Sequence, residues 1–548
     1  MYQGKTASYH LGQGGFNGSD NIDLIPPYDL REASNVRYDG NVIRKAGGLT
    51  LYDSNAISGT PTCLSGIDWW PTTSIQKQVT AWTNGKVYKE VSGDLDSVEL
   101  GTGFTFTQPV HLVPCGQEIP SNNRKLLLFS QGINPQILNA NGTSLSALTY
   151  LNADWTGINM PGAAIMHDNR VVAFLNPSSP HSIYFSALDD HTNFLASDPL
   201  NASSYPLPAF DIQPGEGEYI NALHSIGNTR LYVFKYPTGL YYIDTDNMTS
   251  FVAPVTTVRK DIGIAGAKAV TKAGDLGTWF IGSDGHVYSL EAVSDPNIDP
   301  KAACLTRAKW LNRWIKENVL PSRLQHAILI HDSNRGEVWA IYTKIGSSYN
   351  NIALVFDIND PMNVKISVEE RGTYFNAAWL TKESAQYREL YVGGTGGVIY
   401  KANQSSRKIG TATGYLARFR TPDSDLSWVD PQLALVDKRY DFLEIRALTT
   451  GTGPIAVDLF IDNALYNTYN FDFSSTGSPL DDITYGLTPN TVKSPFTLAG
   501  DGYSRQRLKI GGYGRRISFR VYNSASNEDF GVSSMILYFD TLGSGGEI

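Results

Sequence analysis

Short apolar strands recur along the chain, each followed by a glycine-centred turn and a second strand rich in Tyr, Val and Leu. Clear copies are Val79–Lys89, Leu126–Leu138, Leu231–Ile243, Trp279–Leu290 and Leu390–Tyr400, and weaker copies pair Val171–Phe174 with Ser182–Phe185 and Val338–Tyr342 with Ile352–Phe356. From Gly85 in the first copy to Gly397 in the last there are 312 positions, or 52 per step over six steps. Propeller blades run about 40 to 50 residues, so this spacing predicts blades with loop insertions.

A hairpin of this kind buries too little apolar surface to be stable alone, so successive units must pack face to face. No unit contains a regular helix, which favours a propeller over a solenoid. A sandwich built from many hairpins is the alternative all-β interpretation. We therefore predict an all-β protein with a β-propeller-like repeat domain of about seven blades over residues 61–408.

From residue 409 onward the repeated phrase stops and longer alternating strands follow. The predicted strands are Tyr415–Arg420, Tyr440–Leu448, Ile455–Ile461, Arg505–Ile510, Arg516–Tyr522 and Ser534–Phe539. In the fifth of these, Ile517, Phe519 and Val521 alternate with polar residues, as in a strand with one buried face. This pattern predicts a C-terminal β-sandwich domain over residues 409–548.

Residues 1–60 are predicted to form an N-terminal arm and a β-hairpin. The first 30 residues are rich in Gly, Asn and Asp, which predicts an extended arm, disordered or held by a neighbouring subunit. The hairpin is Asn35–Arg44, two strands around an Asp-Gly turn, followed by Leu49–Tyr52. We expect one of these strands to pair with the last blade and close the ring.

One helix is predicted, over Leu305–Leu320, where Pro321 ends a stripe of Leu311, Trp314, Ile315 and Val319. The stripe is typical of a helix packed on a blade edge. Trp310 falls outside it, which makes a subunit contact the alternative.

Composition fits strands and tight turns, with 30 Tyr, 51 Gly and 41% hydrophobic residues in 548. Only 18% of the residues are charged, which predicts a neutral polar surface or one covered by partner chains. A net charge of -9 argues against sequence-specific nucleic-acid binding, yet an acidic wall allows DNA to slide.

The scattered Cys63, Cys115 and Cys304 predict reduced thiols and folding in the cytoplasm. Without a secretory signal or an apolar run of about 18 residues, no membrane span is expected.

The sequence contains no phosphate-binding loop, dinucleotide fingerprint, zinc signature or nucleophile elbow. Gly393–Gly397 lies between strands and is typical of a hairpin turn, and Ser283–Gly285 matches only part of a sialidase Asp-box. Neither the histidines His167, His181 and His191 nor Asp357–Asp360 have the spacing of a metal site. We therefore expect no catalytic residues, no metal and no cofactor.

A carbohydrate-binding or polysaccharide-degrading propeller is the alternative function. A glycosidase needs two carboxylates held about 5 to 9.5 Å apart, and a sugar site uses an aromatic platform. Candidate residues are Asp189, Asp190, Glu216, Glu218, Asp357, Asp360, Glu369 and Glu370, with Trp69–Trp70 as the platform. None of them lies in a recognisable signature.

One basic run stands out near the C-terminus, without an acidic residue between positions 505 and 520. It consists of Arg505, Arg507, Lys509, Arg515, Arg516 and Arg520. Alternation places the first three on one strand face. The run is either a solvated sheet surface neutralised by neighbours such as Asp423 and Asp425, or a docking face for an acidic protein ring or DNA phosphate.

Several phrases resemble one protein family, the tail nozzle (tail tubular B-type or hub) proteins of short-tailed bacteriophages. Leu30–Gly48 contains an Asn-Val strand, a Gly turn and an Arg-Lys-x-Gly stretch, as these proteins commonly do. Ser182–Phe194, Ile220–Lys235 and Gly514–Asn523 are similar to further parts of the group.

The resemblance implies a virion structural protein and not an enzyme. It implies a homo-oligomer, with a hexameric ring as the specific expectation, that docks to the adaptor and portal and contacts tail fibre or spike proteins. Such a ring retains double-stranded genomic DNA and conducts it during ejection. The location implied is the tail of the virion. The chain is shorter than many nozzle proteins, which leaves its position along the tail open.

Overall fold

The structure is a computed structural model that describes residues 5–19, 21, 25–72, 76–106, 110–116, 124–140, 142–188, 190–195, 209–214, 217–246, 255–299, 301–373, 375–382, 388–448, 454–471, 473, 491–492, 496–497, 503–526 and 528–542. Five short strands precede the repeats: β1 (Lys5–His10), β2 (Glu32–Ser34), β3 (Val36–Asp39), β4 (Val42–Lys45) and β5 (Gly48–Leu51). The predicted candidates Asp189 and Glu216 and the final residues 543–548 lie outside these described residues.

Seven small antiparallel sheets follow one another along the chain as the blades of a propeller. Blade one consists of β6 (Cys63–Trp69), β7 (Lys77–Trp82), β8 (Val87–Val91) and β9 (Asp94–Gly101). Blade two consists of β10 (His111–Cys115), β11 (Lys125–Ser130), β12 (Ile133–Leu138) and β13 (Ser146–Ala147). Blade three consists of β14 (Ala163–His167), β15 (Arg170–Phe174), β16 (Ser182–Phe185) and β17 (Phe210–Asp211). Blade four consists of β18 (Tyr219–Ile226), β19 (Arg230–Tyr236), β20 (Leu240–Asp244) and β21 (Val255–Arg259). Blade five consists of β22 (Val270–Lys272), β23 (Thr278–Ile281) and β24 (Val287–Ser289). Blade six consists of β25 (Ile328–Asp332), β26 (Glu337–Thr343), β27 (Asn350–Asp357) and β28 (Lys365–Glu369). Blade seven consists of β29 (Ala377–Lys382), β30 (Arg388–Gly393) and β31 (Ile399–Gln404), together with β5.

The predicted propeller is therefore confirmed, and each repeated phrase is the central hairpin of one blade. These hairpins are conspicuous because they are packed between neighbouring blades on both faces, so most of their buried side chains are apolar. Gly85, at the first hairpin turn, has φ +73°, and a Cβ there would lie 2.2 Å from the Phe104 carbonyl oxygen. Only glycine fits such a turn without strain.

Blade five has three strands, with a 3-10 turn at Gly274–Leu276 between β22 and β23. The other helical segments follow this blade and are α1 (Leu290–Ser294), α2 (Asn312–Asn318) and 3-10 turns at Arg307–Lys309 and Pro321–His326. The continuous helix predicted over Leu305–Leu320 is wrong. Trp310 adopts left-handed backbone angles with φ +56°, which end the 3-10 turn and separate it from α2.

The ring is closed, as expected, by a strand that precedes the first blade in the sequence. β5 pairs antiparallel with β31, so Leu51 lies opposite Tyr400 and Thr50 opposite Lys401. The outermost strand of blade seven thus precedes blade one in the chain. First and last blades are joined by backbone hydrogen bonds rather than by loop contacts alone.

The C-terminal domain is the predicted sandwich, with two sheets around one core. Its strands are β32 (Ala417–Arg420), β33 (Lys438–Leu448), β34 (Ile455–Ile461), β35 (Ala464–Phe471), β36 (Thr491–Val492), β37 (Phe496–Thr497), β38 (Tyr503–Gly514), β39 (Ile517–Asn523) and β40 (Gly531–Thr541), with a 3-10 turn at Pro431–Leu435. The first sheet has the order β3-β4-β40-β33-β38-β37, with β1 also on β40. The second runs β2-β32-β39-β34-β35-β36.

The N-terminal 60 residues do not form a separate arm. β1 pairs with β40 along its whole length, from Lys5 opposite Phe539 to His10 opposite Ser534. Its inward-facing Ala7 and Tyr9 are each 1% exposed in the sandwich core. The predicted arm is thus a strand of this chain's own C-terminal domain, because its apolar face is buried there rather than on a neighbouring subunit.

Residues 32–51, which we call the clasp, connect both domains. β2 pairs with the blade-six strand β28 on one side and with the sandwich strand β32 on the other, so blade six and the second sandwich sheet form one ten-stranded sheet. β3 and β4 then add to the first sandwich sheet through β40, and β5 closes the propeller. The clasp therefore fixes the sandwich to the ring.

Charged side chains are buried where the clasp meets blade six. Arg37 of β3 lies 2.9 Å from Glu337 and 2.9 Å from Glu369, and Arg371 contacts Glu369 from the other side. The Glu369 side chain is fully buried. Burial alone would lower the pKa of Arg37, but Glu337 and Glu369 raise it above its ordinary value. The guanidinium also lies 5.1 Å from the centroid of the Trp339 ring.

The nozzle-like phrase Leu30–Gly48 has a structural reason at three of its positions, Asn35, Lys45 and Gly48. The Asn35 amide nitrogen donates to the carbonyls of Glu370 and Leu416, one in each domain, at 2.7 Å. Lys45 donates to Asn523 Oδ1 at 3.0 Å. A Cβ on Gly48 would lie 1.8 Å from the Ser406 carbonyl oxygen, so the chain passes there only as glycine.

Candidate docking surface and the propeller axis

Three of the six predicted docking residues share one surface. Arg505, Arg507 and Lys509 alternate along β38 on the outer side of the first sandwich sheet, while Leu508 and Ile510 point into the core. This confirms the predicted alternation. We call these three residues the basic face. No carboxylate among the described residues forms an ion pair with them.

Aromatic rings hold the centre of the basic face. The Arg507 guanidinium carbon lies 3.9 Å from the centroid of the Tyr538 ring and 4.3 Å from that of Phe442. The Tyr538 hydroxyl in turn donates to Glu444 at 3.1 Å. Stacking on two rings restricts the Arg507 side chain, so less rotamer entropy is lost when it binds a carboxylate or phosphate.

The other three predicted residues lie elsewhere. Arg520 is on β39, in the second sheet, and its side chain forms an ion pair with Asp458 at 2.5 Å on the opposite outer face of the sandwich. Arg515 donates through Nε to the Ala434 carbonyl at 2.6 Å. Arg516 helps to lower the pKa of Asp425. The six basic residues are close in sequence but do not share one face, because the turn after Gly514 leads the chain from the first sandwich sheet to the second.

Two cavities lie along the propeller axis. The smaller, of about 210 Å³, is lined by residues from blades one, two, five, six and seven. The larger, of about 420 Å³, is lined mainly by blades two to five and shares His111, Ala267 and Gln325 with the first. Small-molecule sites have volumes of roughly 300–1,000 Å³, and neither cavity exceeds that range. The axis of a single chain is therefore too narrow for a double helix.

Among the described residues considered for sugar chemistry, no carboxylate pair converges on these cavities. Glu369 belongs to the buried ion cluster of the clasp, and Glu370 contacts Lys344. Of these described candidates, Glu218 lines the larger cavity, where it accepts a hydrogen bond from Thr238 Oγ1 at 2.6 Å. Trp69 is 1% exposed, so it is not a platform.

Buried titratable groups elsewhere have structural partners. The ring nitrogens of His167 hydrogen-bond Ser225 and Thr245 at 2.7 and 2.9 Å. Burial raises the pKa of Cys63 and of Cys115 to about 12, which keeps both as neutral thiols. Within the described ranges, no three His, Cys, Asp or Glu side chains converge as a metal site requires, and no helix is long and apolar enough to cross a membrane.

Comparison with known proteins adds one structural likeness. No protein-family model matches the chain, and no curated protein matches it. The chain is similar to the crystal structure of the WD40 beta propeller domain of Doa1, with a TM-score of 0.38 and 8% identity, over 65% of this chain and 96% of that chain. The propeller assignment rests on the seven sheets and their closure by β5.

Proposed function

We propose that this chain is a virion structural protein, one subunit of the nozzle or hub ring in the tail of a short-tailed phage. The observation that carries the proposal is the clasp. The phrase that resembles the nozzle family, Leu30–Gly48, runs through the propeller and the sandwich and binds the two domains together. The sequence resemblance and the architecture that it implies thus meet in the same residues.

The proposed mechanism is steric and electrostatic. The cavities along the axis of one propeller are too small for a double helix, so the DNA passage lies between copies of the chain arranged in a ring. The acidic net charge of -9 keeps phosphates from adhering to the wall. The basic face docks the ring to an acidic surface of the adaptor, since exposed Arg and Lys that pair with no described carboxylate favour such contacts.

Mass measurement of the purified protein, alone and with the adaptor of the same phage, tests this proposal. We expect a ring of several copies, with a hexamer as the specific expectation, and a stable complex with the adaptor. A protein that stays monomeric and does not bind the adaptor contradicts it.

Charge reversal tests the role of the basic face. The variant R505E/R507E/K509E should lose adaptor binding, because long-range attraction becomes repulsion. The matched control is K272E/K301E/R388E, which reverses three exposed propeller cations and should bind as the parent does. Equal loss in both variants, or no loss in either, overturns the assignment of this face.

A further inference from the structure

The smaller axial cavity is lined by basic groups without a carboxylate. Lys268 comes from the segment before β22, Arg323 and His326 from the 3-10 turn before β25, and His111 from β10. Among the residues described there, the remaining lining groups are neutral. Several blades therefore present positive or hydrogen-bond-donating groups to one enclosed space.

Among the described residues, the Lys268 ammonium donates to one neutral acceptor, Ser65 Oγ, at 3.0 Å. Burial lowers the pKa of Lys268 to about 8, and the neutral Cys63 thiol nearby gives it little compensation. Arg323 likewise forms no ion pair with a described carboxylate, and its Nε is buried without a hydrogen-bond partner. Burial also lowers the pKa of Arg323, although Tyr349 opposes that effect. Among the described residues, neither of these half-buried cations has the counter-charge that charges removed from water normally have.

His111 is one of three residues that line both cavities, and it is 8% exposed. Its ring packs edge-on against Phe174 at 6.5 Å, and no described group hydrogen-bonds its nitrogens. Burial, together with Lys268, lowers the pKa of His111 to about 3, so the imidazole is neutral and offers one N–H to the cavity. A buried, unpaired polar side chain of this kind is expected to have a partner.

The larger cavity continues from His111 along the axis with more apolar walls, formed by residues such as Leu175, Pro177 and Tyr219. Its carboxylate, Glu218, is engaged by Thr238 and lies 3.9 Å from the Lys235 ammonium. The charge of Glu218 is therefore balanced by Lys235, and Glu218 is not a counter-ion for Lys268. A basic end beside a longer, less polar space suits a molecule with one charged end.

We propose that the propeller axis binds a small organic oxyanion, a carboxylate or phosphate monoester. Its charged group contacts Lys268 and Arg323, and its body extends past His111 into the larger cavity. Charge-assisted hydrogen bonds to the oxyanion would satisfy the groups that lack partners. This goes beyond a structural role in a tail, because it gives the propeller a ligand of its own.

Isothermal titration of the full chain with inorganic phosphate, phenyl phosphate and benzoate tests the proposal. We expect saturable binding of all three, tighter for the two aromatic anions because the ring is buried. K268M should weaken binding about tenfold or more. K272M, which removes an exposed lysine a few residues away, should leave it unchanged. Loss of binding in K272M to the same extent would overturn the proposal.

A second variant and a second readout guard against a misfolded K268M protein. R323Q, at a half-buried position, should also weaken binding while its melting temperature without ligand stays close to that of the parent. Binding should take up protons near pH 8, because the anion raises the pKa of Lys268 from about 8. Titration in two buffers of different ionisation enthalpy measures this uptake. No saturable binding, or unchanged affinity in both variants, contradicts the proposal, and equal affinities for phenyl phosphate and phosphate overturn the use of the larger cavity.

Discussion

The propeller and the clasp are stabilised in different ways. Apart from β5, which completes blade seven, each blade is built from strands adjacent in sequence and buries apolar hairpins against its neighbours, with Trp339 and Phe356 of blade six almost fully buried. The clasp instead joins strands hundreds of residues apart and buries an ion cluster around Glu369. Repetition makes the ring tolerant of change in one blade, whereas a single segment holds ring and sandwich together.

The largest expected effect comes from removing the central carboxylate of the clasp. E369Q should lower the free energy of unfolding by about 3–5 kcal/mol, because Arg371 is left as a buried charge without compensation. The neighbouring E370Q removes an exposed partner of Lys344 and should cost less than about 1 kcal/mol. Urea unfolding of both variants measures the difference. Similar values at the two positions would refute the special role of the buried cluster.

Closure of the ring by β5 depends on close backbone approach at Gly48. G48V should destabilise the protein by about 3 kcal/mol, because the side chain would overlap the Ser406 carbonyl oxygen. T50V, at an exposed position of the same strand, should be nearly neutral. Limited proteolysis should then cut G48V within blade seven before the parent. A parent-like cleavage pattern would show that β5 does not close the ring.

The edge of blade six near the clasp should respond to pH through Asp332. Burial, with Glu337 nearby, raises the pKa of Asp332 from 3.8 to about 6. The folded state therefore binds the proton more tightly than the unfolded state, and this contribution to stability is present below about pH 4 and is lost as pH rises through about 6. D332N should be more stable than the parent by about 1–3 kcal/mol at pH 7 and equal to it near pH 4.

Thermal or urea unfolding of parent and D332N across this pH range measures the effect. Because the histidines titrate in both proteins, the difference between the two curves isolates Asp332. A difference that does not change with pH would exclude the buried carboxyl as its source.

The smallest expected effect is at the basic face. R507A should change the free energy of unfolding by about 1 kcal/mol or less, since it loses only the stacking on Phe442 and Tyr538. Its binding to the adaptor should nevertheless fall. Chemical unfolding and a binding assay on the same sample separate the two. A large loss of stability would assign Arg507 to the fold rather than to docking.

The same contrast explains what sequence could predict. All seven central hairpins were predicted correctly, because an apolar strand, a glycine turn and a second strand are local signals. The six predicted sandwich strands are also present. The pairing of β1 with β40 was missed because its partner lies more than 500 positions away and no local pattern marks it.

Local sequence also misled at two places. The helical stripe near residue 311 is real in α2, but backbone angles at Trp310 that no pattern reveals end the preceding turn. The basic run was divided between two sheets by the turn after Gly514. The axial group of Lys268, Arg323 and His111 had no sequence signal, because different blades supply its members.

The most direct test of the central claim is an electron-microscopy map of the purified protein with its adaptor. The account predicts a closed ring of several copies, with an open passage between them and no propeller axis wide enough for DNA. A particle containing one copy, or a ring without a central opening, would contradict it.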